Sequence, residues 1–118
     1  MIGAMRAAAA AGRFALQRCG ACGRAQYPPR AFCTACLSDN VEWEVLAFAP
    51  GTLLARCRLH HSNALRFRPA LPLDLGLVRL DAGPVAVCFL AGVPAIGAGV
   101  TVRARLDVAG HPVLDAAA

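Results

Sequence analysis

Lysine is absent from this chain, and all twelve of its basic residues are arginine. No glycine-rich loop is followed by the lysine that would reach a nucleotide's phosphates, so a P-loop is excluded. Acidic residues are few: five Asp and two Glu, mostly at turn signals or on predicted wet faces, with no pair placed for general acid and base work. Aromatic residues are scarcer still, with one Trp, one Tyr and five Phe, which makes a thin platform for stacking successive bases of a single strand. There is no Gly-x-Ser-x-Gly elbow, and Ser62 beside His61 is adjacency in sequence rather than a nucleophile and its base. No repeat and no Gly/Ser linker divides the chain. The segment Met1 to Gly12 has one Arg and an Ala run but no leucine-rich core, which argues against secretion and predicts a cytoplasmic protein.

The hydrophobic fraction of 58% resembles that of a membrane protein, but 26 of the 118 residues are alanine, so composition overstates the core. Ala82 to Val102 carries no charge and is long enough to cross a bilayer. Pro84, Pro94 and four glycines interrupt it, however, and it is read as two strands and a loop.

Against these absences stand four cysteines in two knuckles, Cys19-x-x-Cys22 and Cys33-x-x-Cys36, ten residues apart. Two thiolates three positions apart on a tight turn can face one cation, and a second such turn completes a tetrahedron around Zn²⁺. Gly20 and Gly23 suit a backbone that must turn its N–H groups toward sulfur. The competing reading is two disulfides or four buried thiols, which a reducing cytosol disfavours. With all four positions filled by protein, the metal has no place for a catalytic water, and its role is structural. The formal charge of +5 falls to about +3 once four thiolates and Zn²⁺ are counted. The arginines are also dispersed, so nucleic acid and membrane are not expected partners.

Along the chain, the Ala-rich stretch Met5 to Ala11 predicts a short helix ended by Gly12. Alone it is marginal and needs something to pack on. Phe14, Leu16 and Arg18 lead into the first knuckle as a strand. Val41, Trp43 and Val45 alternate with Glu42 and Glu44 in another. From Gly51 the pattern is that of a small barrel. Leu53, Ala55, Cys57 and Leu59 are expected inside, Asp81-Ala-Gly-Pro84 reads as a hairpin turn between two strands, and Val100, Val102, Ala104 and Leu106 alternate cleanly with polar residues. The fold class is therefore mainly β: a short N-terminal helical segment over residues 1–12, a zinc ribbon over 13–46, and a five-stranded OB-fold barrel over 47–118.

Cys57 and Cys88 are read as small core residues. Cys57-x-x-His60 followed by His61 has metal-like spacing, but on an extended strand residues three apart point to opposite faces, so a second metal is not expected. His111, before a proline, is read as a surface or packing residue. In the longest loop, Arg66-Phe67-Arg68-Pro69 is the candidate contact for a ligand or partner, since two guanidiniums flanking an aromatic ring suit a phosphate and a base. The alternative is a solvated loop whose Phe67 tucks under the barrel.

The order of parts resembles a known family. The Cys19-Gly-Ala-Cys22-Gly23 knuckle, the Tyr27-Pro-Pro-Arg30 lead, Cys33-Thr-Ala-Cys36, the Trp43 strand, Gly51-Thr52, the hairpin from Leu77 to Pro84 and the turn from Ile96 to Val100 are similar to the family named domain of unknown function 35. The resemblance runs from about Phe14 to Pro112, with a shorter N-terminal segment than the helix pair of many relatives. It implies a rubredoxin-like zinc ribbon, an OB fold and a role in acyl-CoA metabolism. In that role the chain is an accessory subunit without a catalytic centre of its own, docked on a thiolase-like acyl-CoA acyltransferase, a thiolase-fold enzyme, and supporting its assembly or acyl-CoA binding. A coenzyme A ester would then lie at the subunit junction near Arg66 to Arg68. Two alternatives stand beside this: a scaffold for an acyl-CoA hydratase or aldolase, and a single-stranded nucleic-acid binder.

Overall fold

In the computed structural model, which describes residues 2–60, 72–92 and 94–118, the alanine run is helical as α1, Ile2–Ala10. The helix starts three residues earlier than the propensity reading and stops one earlier. Its end is a Schellman motif: Arg13 N donates to Ala8 O (2.8 Å), Gly12 N donates to Ala9 O (3.0 Å), and Gly12 takes φ 73°. Met5, Ala8 and Ala9 are buried, and the helix lies against the first strand of the ribbon and the last two strands of the barrel. Arg6 Nε holds Gly110 O at 3.1 Å. What this marginal helix packs on is thus its own chain.

The ribbon is a three-stranded antiparallel sheet, β2 (Ala25–Gln26), β1 (Phe14–Cys19) and β3 (Val41–Leu46), with β1 central. Phe14 and Leu16 face the barrel core, whereas Ala15 joins Met5, Ala8 and Trp43 beneath the helix. Val45 departs from its expected burial: it is 51% exposed, because β3 is an edge strand and the cluster under the helix includes Trp43 but not Val45.

The barrel runs β4 (Ala49–Leu59), β5 (Leu73–Leu80), β6 (Val85–Leu90), β7 (Gly99–Leu106) and β8 (Pro112–Ala117), closing in the order β4-β5-β6-β8-β7. All its pairings are antiparallel except β6 with β8, the OB arrangement. The fifth strand is the tail, where Pro112 sits at the first position, the place a strand tolerates it. Inward residues Leu53, Val78, Leu80, Ala86, Val100 and Val102 join Phe14 and Leu16 in one core, so ribbon and barrel are packed as a unit.

The alternation expected along β4 breaks midway. A register shift between Leu53 and Ala55 inserts an extra residue, which turns the rest of the strand over. Leu53 is fully buried, but Ala55 and Cys57 lie exposed on the outside. Cys57 is therefore not a core residue, and Cys88 is.

Candidate metal centre

β1 delivers Cys19 to the first knuckle, where Ala21 N and Cys22 N donate to its sulfur at 3.3 and 3.4 Å. Gly23 N then donates to Cys19 O (2.9 Å), and Gly23 takes φ 79°. The second knuckle repeats the design. Ala35 N donates to Cys33 Sγ (3.4 Å), Leu37 N donates to Cys33 O (2.9 Å), and Leu37 sits at φ 64°. The left-handed residue that closes each knuckle is a glycine in one and a leucine in the other, and only the glycine was legible as a turn signal.

The knuckles face each other. Cys19 Sγ lies 3.6 Å from Cys36 Sγ and Cys22 Sγ lies 3.6 Å from Cys33 Sγ, with all four sulfurs within 4.8 Å of one another. Disulfide sulfurs would stand about 2.0 Å apart, whereas tetrahedral ligands at about 2.3 Å from Zn²⁺ stand about 3.8 Å from each other. The four-cysteine site has the dimensions of a zinc site. Among the described residues it is also the only cluster of metal-ligating side chains, and neither Cys57 nor His60 joins another.

The electrostatics suit a cation. Backbone N–H groups of Cys36 and Ala35 lower the Cys33 thiol to about 6. Although a backbone hydrogen bond at Ser38 works to lower Cys36, the Cys19, Cys22 and Cys33 sulfurs around it push it up to about 12. Clustered thiols resist ionising together, and a divalent ion supplies the charge that lets all four do so.

A polar network that sequence reasoning missed holds the second knuckle in place. Gln17 and Gln26 are cross-strand partners and both are buried. Gln26 Nε2 donates to Gln17 Oε1 and Phe32 O, while Gln26 Oε1 accepts from Thr34 N. Gln17 Nε2 donates to Arg30 O, and its oxygen accepts from Arg30 N. The available signal was a glutamine inside an apolar strand, Phe14-Ala-Leu16-Gln17. Arg18 braces the first knuckle from outside, with its Nε 2.8 Å from Glu44 Oε2 and its Nη1 2.8 Å from Gly23 O.

Arg66, Phe67 and Arg68 lie outside the described residues, as do His61 and Ser62. Several other arginines are engaged. Arg58 pairs with Asp74 (2.9 Å), Arg105 pairs with Asp115, and Arg103 stacks over Phe48 (5.4 Å). No helix among the described residues is long and apolar enough to cross a membrane.

Residues 6–42 match the family model of the ChsH2 rubredoxin-like zinc ribbon domain. The chain is also similar to one in a solved structure described as an Ltp2-ChsH2(DUF35) aldolase. That likeness has a TM-score of 0.70 at 25% identity and covers 89% of this chain and 84% of that one. No curated protein matches.

Proposed function

We propose that this chain, a member of the domain of unknown function 35 family, is a non-catalytic accessory subunit that docks on a thiolase-fold enzyme of acyl-CoA metabolism. In this reading Cys19, Cys22, Cys33 and Cys36 hold one structural Zn²⁺. The observation that carries it is the likeness over nearly the whole chain to a protein described together with Ltp2 as an aldolase. The closed four-sulfur site agrees, since it braces the fold and leaves no coordination position for a substrate. Residues 1–12, 13–46 and 47–118 serve as helical brace, zinc ribbon and docking barrel. The loop carrying Arg66, Phe67 and Arg68 contacts the anionic end of a coenzyme A ester at the junction.

The word aldolase in that description favours carbon–carbon cleavage as the partner's reaction, ahead of thiolysis or hydration. A single-stranded nucleic-acid role is less supported, because Arg18, Arg58 and Arg105 are already paired with carboxylates. The test is co-expression with each thiolase-fold protein encoded beside the chain, followed by gel filtration. Aldol cleavage, thiolysis and condensation of acyl-CoA are then assayed on each component and on the mixture. A stable hetero-oligomer that is active only when assembled is expected. Turnover by the isolated chain, or a chain that stays monomeric with every such protein, overturns the proposal.

A further inference from the structure

The outer face of β4, β5 and β6 exposes a run of apolar side chains. Beyond the bulge, Ala55 pairs with Leu77 and Leu77 with Val87, making one outward row across three strands. A second row runs from Cys57 to Leu75, and Phe89 beyond it already has the Arg105 guanidinium over its ring. Leu77 is 39% and Val87 60% exposed, and Ala55 and Cys57 are exposed as well. Ala55, Cys57, Leu75, Leu77 and Val87 line a shallow hollow of about 190 Å³, and an adjoining one of about 280 Å³ shares Leu75 and Val87 with it. Contiguous exposure of this kind marks an interaction site rather than scattered surface residues.

We infer that this face is where the chain docks on its enzyme partner, which presents an apolar ridge with a carboxylate placed against Arg79. The inference rests on the accessory-subunit reading above. Three observations select this occupant. The strands are the barrel's first three, and an OB barrel uses its second and third strands to hold oligonucleotides, but outward on those two strands Leu75, Leu77, Val85 and Val87 outnumber the one aromatic, Phe89, and the one cation, Arg79. The barrel is closed, so no edge is offered for an added strand, and recognition must go through side chains. The outward row of β5 ends in Arg79, which is exposed and whose side chain makes no hydrogen bond or ion pair with the other described residues. A lone cation at the rim of an apolar patch, with no carboxylate in the outward rows, calls for an anionic side chain on the other surface.

The test uses the zinc-loaded chain and the hetero-oligomer identified above. Val87→Glu and Leu77→Glu are exposed changes, each checked for an unchanged zinc content and melting profile. Arg79→Glu probes the charge, and Val108→Glu on a 90% exposed turn is the control. Each of the first three is expected to weaken the complex at least about tenfold, with the control unchanged. Cys57, alkylated readily in the free chain, is expected to be protected at least about tenfold in the complex. A complex that forms with unchanged affinity in Val87→Glu and Leu77→Glu, with Cys57 still reactive, overturns the docking face and leaves the accessory role standing. An isolated chain that is a dimer and becomes a monomer in Val87→Glu assigns the face to a second copy and overturns the hetero-partner. Binding of a single-stranded oligonucleotide that Leu77→Glu abolishes overturns it too. Failure of the wild-type chain to form any complex overturns the accessory reading and this face with it.

Discussion

Gln26 donates its side-chain amide to Gln17 Oε1 across 2.6 Å, and the two buried glutamines are cross-strand partners in the ribbon. Together they answer the backbone of Arg30, Phe32 and Thr34, the chain that carries the second knuckle to the first. Gln26→Leu keeps the volume but leaves Thr34 N–H, Phe32 O and part of Gln17 without partners. A loss of about 2–4 kcal/mol is expected, since buried unsatisfied groups carry their full desolvation penalty. Urea unfolding of the zinc-loaded protein measures it, and zinc transfer to a chelator should quicken in the same variant.

The two knuckles predict opposite responses at equivalent positions. Gly23→Ala places a Cβ at φ 79°, and a loss of about 1 kcal/mol is expected. Leu37→Gly relieves the same strain at φ 64° and forfeits little burial, because Leu37 is 72% exposed. A gain of up to about 1 kcal/mol is expected, net of the glycine's added freedom when unfolded. Thermal melting of both zinc-loaded variants decides the signs.

Purified protein is expected to contain one zinc per chain, and the double variant Cys33→Ser with Cys36→Ser close to none, by elemental analysis. Metal removal is expected to melt the ribbon and also to lower the melting point of the barrel, because Phe14 and Leu16 belong to the barrel's core. Circular dichroism during chelator titration follows both.

Cys88 should make the protein sensitive to alkali. Burial pushes its thiol up to about 12, with the Asp115 carboxylate adding to the rise. A thiol in the unfolded chain titrates near about 8.5. The native state therefore keeps a proton that the unfolded state releases. Stability is full below that lower value and falls as pH rises from about 9 toward about 12. Cys88→Ala is expected to be less stable at pH 7 but to have a flatter decline across this window, read by urea midpoints at successive pH values.

Gly51 lies where β4 crosses the register of β5. A Cβ there would stand 2.7 Å from a Val78 methyl and 2.8 Å from Arg79 O, a backbone atom that cannot turn aside. Gly51→Ala is expected to lose about 1–3 kcal/mol by overpacking, measured by denaturant unfolding with an unchanged zinc content.

Much of the fold was written in local pattern. The knuckles were legible because both pairs of ligands are three residues apart, a distance a single turn spans whatever surrounds it. The alternation of Val100, Val102 and Ala104 and the Asp81–Pro84 turn were legible for the same reason. What the tertiary structure decided depends on pairings between segments far apart. The bulge that turns Cys57 outward exists only in the register of β4 against β5, and one extra residue there reverses every later side chain. The use of the tail as β8 follows from its parallel seat beside β6, and the burial of α1 from the ribbon and barrel surfaces that meet beneath it. The Gln17–Gln26 pair became a brace only once β1 and β2 aligned them and the segment after β2 folded back over both. A sequence specifies which residues can turn, alternate or ligate, because those are properties of neighbours along the chain. Which faces remain open to a partner is settled only when distant strands take their register, because burial is a property of the whole packed molecule.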